Sequence, residues 1–217
     1  MLARFTCAIA LSIVLISPAL ASDFIPSKCT LPHCAVTAVG EQWPESKFAN
    51  VLPLDIGPGL AMGFPAVPSR MLHDRDVLRL DFGDARLVVQ SVDAQSLELP
   101  AAHGFNPEET DFVEYLQIAF EMTPEAEPKT GTPEFVLFRY AMMQKALQRF
   151  AEGARPVRME RGELVAYSFE AEPLRGSESW VAFVANRKAP YGFIKVHSLG
   201  LSSEEFRQIV GAIEVKR

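Results

Sequence analysis

The sequence predicts an α+β fold: a single domain in which a mainly antiparallel sheet of about six to seven strands packs with three helices as an α/β/α sandwich. Three observations lead there. Strand-like runs are joined by short hairpin turns instead of alternating with helices; two capped helical stretches interrupt the strands mid-chain; and four strand-like runs followed by one capped helix close the chain.

Taken in order, Arg4, the apolar run Ala8–Ile16 and Ala19-Leu20-Ala21 have the layout of a signal peptide over residues 1–21, cleaved before Ser22. The apolar run is short for a membrane span. The expectation is therefore a periplasmic or secreted protein, soluble after cleavage and without stable membrane insertion. Residues 22–50 form a lead-in rich in Pro, Ser, Lys and acidic types, with Trp43 and Phe48 as apolar anchors. Cys29 and Cys34 are the cysteines left after processing, and in an oxidising compartment they pair to brace this segment. A redox pair or a metal site with His33 is the alternative, but the four-residue spacing is not that of a thioredoxin-like motif, and one histidine does not complete a ligand set.

Residues 51–217 are expected to form the domain. VLPLDIGPG gives a short apolar run, and LAMGFP a first strand closed by Pro65. VLRLDF and ARLVVQSV flank Gly83-Asp84, a hairpin signal. Asn106 as cap, Pro107 at the first helical position and Glu109 two further on predict a helix start, with Phe112, Val113, Leu116 and Phe120 as its stripe. After the polar loop MTPEAEPKTGTP, Thr132 and Pro133 begin a second helix lined by Phe135, Phe138, Met142 and Ala146. It ends near Gly153 and exposes Lys145 and Arg149. VRME and ELVAYSFE then form a hairpin about Arg161-Gly162. In its return strand Val165, Tyr167 and Phe169 share one face, Leu164 and Ala166 the other. WVAFVA and YGFIKVH follow. The last helix carries a Ser202/Glu205 capping box and the stripe Phe206, Ile209, Val210, Ile213.

GLAMGFPAVPSRM at Gly59–Met71 resembles the opening strand of Mog1/PsbP-like domains, and YGFIKVHSLGLSSEEFRQIVGAIEV at Tyr191–Val215 resembles their closing strand and helix. The resemblance spans about Leu60 to Val215; the stretch from Asn106 to Gly153 is longer than in the simplest members. It implies a compact α/β/α sandwich that binds or assists another protein and is usually not an enzyme. The family has no catalytic signature, so no functional residue is carried over.

A formal net charge of −6 with no basic block argues against nucleic acid as the main partner. Neither a nucleophile elbow, a phosphate loop nor an H-E-x-x-H motif is present. The densest polar cluster is His73-Asp74-Arg75-Asp76, which reads as a strand entrance, with acid–base or metal use of His73, Asp74 and Asp76 as the alternative. His197 beside Ser198 reads as a strand-end histidine, with serine activation as the alternative. Arg158 and Arg161, with Arg155, Lys145 and Arg149 nearby, offer a basic patch for an acidic protein. Tyr191, Phe193 and Lys195 offer an aromatic and cationic surface if the final helix leaves that face uncovered. The expectation is an exported, non-enzymatic protein with a protein partner, in an inhibitor, immunity or assembly role, without metal or cofactor. A small-ligand carrier with a pocket beneath Met122–Thr132, or a hydrolase or metal-dependent enzyme with a non-standard site, is the alternative.

Overall fold

The computed structural model describes residues 25–47, 54–64 and 67–216. The signal-peptide expectation, Phe48 and Pro65 fall outside them. The lead-in is not a mere strap. It makes a 3-10 turn at Pro32–Ala35 and then strand β1 (Val39–Gln42), which enters the main sheet. A hairpin of β2 (Leu54–Gly57) and β3 (Leu60–Met62) follows, then β4 (Arg70–Asp74), β5 (Val77–Phe82) and β6 (Ala85–Asp93). Helices α1 (Phe112–Glu121) and α2 (Pro133–Ala146) come next, then β7 (Val157–Arg161), β8 (Leu164–Leu174), β9 (Ser177–Asn186) and β10 (Gly192–Leu199). The chain closes with α3 (Ser203–Gly211) and β11 (Ile213–Val215).

The fold is mixed α+β. Eight strands form one sheet in the order β1-β7-β8-β9-β10-β6-β5-β4, antiparallel throughout except for the parallel pair β1/β7. A second sheet, β11-β3-β2, was not anticipated as separate. Strands β8, β9 and β10 are buried on both faces, so their side chains divide by the two-residue period. Val165, Tyr167, Phe169, Val181, Phe183, Ala185 and Phe193 meet α1 and α2. Leu164, Ala166, Ala182, Val184, Ile194 and Val196 meet α3 and the small sheet. The helical side is an aromatic layer in which Phe120 lies 5.1 Å from both Tyr167 and Phe183, and Phe183 lies 5.7 Å from Phe193.

Local signals explain most boundaries. Thr132 accepts from the Phe135 amide, and the Ser202/Glu205 capping box is complete. The expected start at Asn106 is a correction. Asn106 caps only the 3-10 turn Pro107–Glu109, and α1 begins after Asp111, whose carboxylate accepts from Val113 and Glu114. The α2 helix stops at Ala146, short of Gly153. The β7–β8 turn is Gly162-Glu163, one residue later than expected, because Arg161 pairs with Leu164.

The disulfide Cys29–Cys34 encloses the 3-10 turn. His33 packs 5.3 Å from Phe150 and has Nε2 3.3 Å from the Ala146 carbonyl, so the braced loop docks on the C-terminal end of α2. Lys145 is the largest departure from the helical pattern: expected on the solvent side, it is 0% exposed, and its Nζ donates to the Met122 carbonyl at 3.2 Å. Desolvation pushes its pKa from 10.5 down to about 8. Unfolding therefore takes up a proton between those values, so this group's stabilising effect is full above pH 10.5 and falls as pH drops to about 8. Lys145→Met should raise stability at pH 7 by roughly 1–2 kcal/mol, since relief of charge burial exceeds the loss of one carbonyl hydrogen bond. It should also flatten the rise in stability between pH 8 and 10.5; urea unfolding at both ends of that window checks both effects.

Candidate functional site

The cleft that stands out is made by an overhang. The helices pack on β8, β9 and β10, and β2 reaches β6 and β10, while β4 forms the open end of the large sheet. Between the outer edge of β2 and the β4–β5 hairpin lies a cleft of about 540 Å³. Leu54, Asp55, Ile56 and Gly57 form one wall; Met71, His73, Arg75 and Asp76 form the other; Leu78, Val89 and Ser91 form the floor. Register explains the division. Met71 pairs with Leu80 and His73 with Leu78, so their side chains share the small-sheet face, whereas Arg70, Leu72 and Asp74 take the opposite one.

Two backbone features shape the walls. Gly57 lies at φ 116, where a Cβ would come within 2.6 Å of Ser91 Oγ, so only glycine lets β2 press this closely on β6. Opposite, Arg75 occupies the hairpin turn at φ 49, a left-handed conformation uncommon for a long side chain. The amide of Ser91 donates to the Asp76 carbonyl at 2.8 Å, tying that turn to β6. Asp55 forms an ion pair with Lys216, which holds its carboxyl below the usual range.

The cleft gathers only part of the predicted acid–base set. His73 and Asp76 line it, while Asp74 faces the other side of the sheet, so the two carboxylates do not converge. Among the described residues no group of three or more His, Cys, Asp or Glu is placed to hold a metal ion.

The remaining predicted residues are dispersed. Arg158 Nε lies 3.0 Å from Glu121 Oε1, and the Tyr167 hydroxyl donates to that same carboxylate, binding β7 and β8 to the end of α1. Arg161 donates to the carbonyls of Gly211 and Ile213, and its guanidinium carbon lies 5.0 Å from the Trp43 ring centroid, closing the end of α3 over the sheet. These arginines thus connect layers. The Tyr191, Phe193 and Lys195 surface requires correction. Tyr191 is 61% exposed, but Phe193 is fully buried, because this face of β10 lies beneath α1 and α2 instead of the final helix. Lys195 is half-buried, with Nζ 3.1 Å from Gln148 Oε1 and 5.5 Å from the Phe183 centroid.

A pair that sequence reasoning missed lies nearby. His197 Nε2 is 2.8 Å from Ser179 Oγ, not beside Ser198, whose side chain is buried on the opposite face. Burial, then the Lys195 charge, holds the imidazole below its ordinary pKa and so favours the neutral form. The strand phases contained the signal, since Ser179, Val181 and Phe183 alternate in step. Yet Ser179 is 2% exposed, so a substrate carbonyl has no approach without movement of the surrounding strands. The pair serves as a buried hydrogen bond. A second depression of about 190 Å³, near Arg155, Glu170, Trp180 and Arg207, is smaller than usual small-molecule sites. Neither depression is lined by the loop 122–132 proposed to roof a ligand pocket.

The left-handed turn residue provides a test of the wall. Arg75→Gly should raise stability by about 1 kcal/mol by relieving the backbone penalty while removing a charged cleft side chain; the midpoint of urea unfolding reports it.

No protein-family model and no curated protein matches the chain. Among solved structures, a crystal structure from Bacteroides thetaiotaomicron VPI-5482 is similar over 75% of this chain and 48% of that one, with 11% sequence identity and a TM-score of 0.34. The chain thus spans about half the length of that protein.

Proposed function

We propose that this chain is an exported, non-enzymatic protein that binds an extended segment of another protein in the cleft between β2 and the β4–β5 hairpin, in an inhibitory, immunity or assembly role. One observation carries the reading: β2 is the end strand of the small sheet, and its edge, which no other strand pairs among the described residues, runs along a cleft with apolar side chains in its walls and floor. An extended peptide laid there gains main-chain hydrogen bonds from the edge, while Leu54, Met71, Leu78 and Val89 receive alternate side chains. His73, Arg75 and Asp76 at the rim supply polar selectivity.

Export is supported by the leader-like residues 1–21 and by the Cys29–Cys34 disulfide, which suits an oxidising compartment. Among the described residues no helix is long and apolar enough to cross a membrane. Kinship with Mog1/PsbP-like domains belongs to the same proposal, supported by the helices and small sheet on opposite faces of a largely antiparallel sheet.

A photo-crosslinking residue in place of Met71, compared with one at the exposed Tyr191 outside the cleft, tests the reading in the native host. A discrete adduct with a protein other than this chain, formed from position 71 alone, is expected. The purified partner should then lose at least tenfold in affinity to Met71→Glu, whose charge meets the apolar wall, with thermal unfolding unchanged. Equal adducts from both positions, no adduct, or an affinity indifferent to Met71→Glu would remove the cleft as the binding site.

A further inference from the structure

We propose that two copies of this chain pair edge to edge through β4, antiparallel and centred on Leu72, joining their large sheets into one. This uses the backbone edge of β4; its charge pairs lie on the face opposite the cleft, while Met71 and His73 of the cleft wall come to the seam, and the pairing does not rest on the function proposed above.

The register is written in the hydrogen bonds. The Ser91 amide bonds the Asp76 carbonyl, and Val77 lies opposite Gln90. That places the backbone groups of Val77, Arg79 and Asp81 on the β4 side of β5, where they pair with Asp74, Leu72 and Arg70. The N–H and C=O groups of Met71 and His73 therefore point outward from the last strand of the sheet, with no described strand to receive them. A two-fold axis through Leu72 sets Met71 of one copy opposite His73 of the other. Each such pair exchanges both of its bonds, and the exposed edge is satisfied at every outward group.

The side chains fit the same axis. Arg70 of one copy falls opposite Asp74 of the other, twice over by symmetry, on the face they share with Leu72. Neither has an ion-pair partner within the chain among the described residues. The carboxylate beside Arg70 on β5, Asp81, is already taken by Arg79 at 3.0 Å and Arg86 at 2.9 Å. Leu72 is 41% exposed and Met71 55%, and pairing covers both. The described β4 carries neither proline nor lysine, devices that commonly blunt an edge; its charges instead discriminate by register.

Sedimentation of the purified protein across a concentration series tests the pairing, with circular dichroism confirming folding of each variant. The wild type should show a concentration-dependent dimer. Arg70→Asp and Asp74→Arg should each weaken it roughly tenfold or more by setting like charges opposite each other. Mixing these two variants should restore a heterodimer, because every cross-strand pair is then of opposite sign. A wild type that stays monomeric throughout, a dimer that both variants leave intact, or variants that fail to associate when mixed would overturn the proposal.

Discussion

The structure depends on burying three consecutive strands on both faces. On β8, β9 and β10 the large rings fall on one side and the aliphatic and small residues on the other. Phe183 is central, contacting Phe120, Phe169 and Phe193, while its neighbours Ala182 and Val184 face the opposite core. Truncating such a ring costs about 3–5 kcal/mol, a large share of a domain's net stability. With both faces committed, α1 and α2 must cover one side, and α3 with the small sheet the other. The arginines that reading by charge assigns to the surface are drawn into holding these layers together.

That commitment also explains where a site can exist. Covering elements reach only part of the long sheet, so its β4 end extends past them and the cleft forms beneath the overhang. Gly57 sets the closeness of one wall to the sheet, and the Arg75 turn carries the other. A left-handed arginine and the uncovered edge occur in the same hairpin.

The central architecture was legible because its signals are local. Alternation in Val165, Tyr167 and Phe169 against Leu164 and Ala166, the Gly83-Asp84 turn and the Ser202/Glu205 box each act over a few residues. The edges were not. VGEQ of β1 and RMLHD of β4 are exposed along their length, so no burial period marks them, and only partners distant in sequence make them strands. Asn106-Pro107 satisfied the rules for a helix start, but Asp111 offered a better cap four residues before Tyr115. Charge alone puts Lys145 on the solvent side, whereas the tight layer around α2 buries it and its amine donates to the Met122 carbonyl. Of the cleft, His73 and Asp76 were visible as a polar cluster; β2 as the facing wall was not, since nothing local says that one hairpin will lie across another.

The parallel pairing of β1 with β7 bears on the order of folding. Its partners are widely separated along the chain, the pairing covers only four positions, and β1 buries no side chain. Closing so long a loop for so small a return places this step after the central strands have assembled. The beginning of the chain therefore docks late onto a sheet made by its second half. In the native state, β1 has no side-chain burial of its own to hold it, and its detachment exposes β7 while the double-faced centre stays closed.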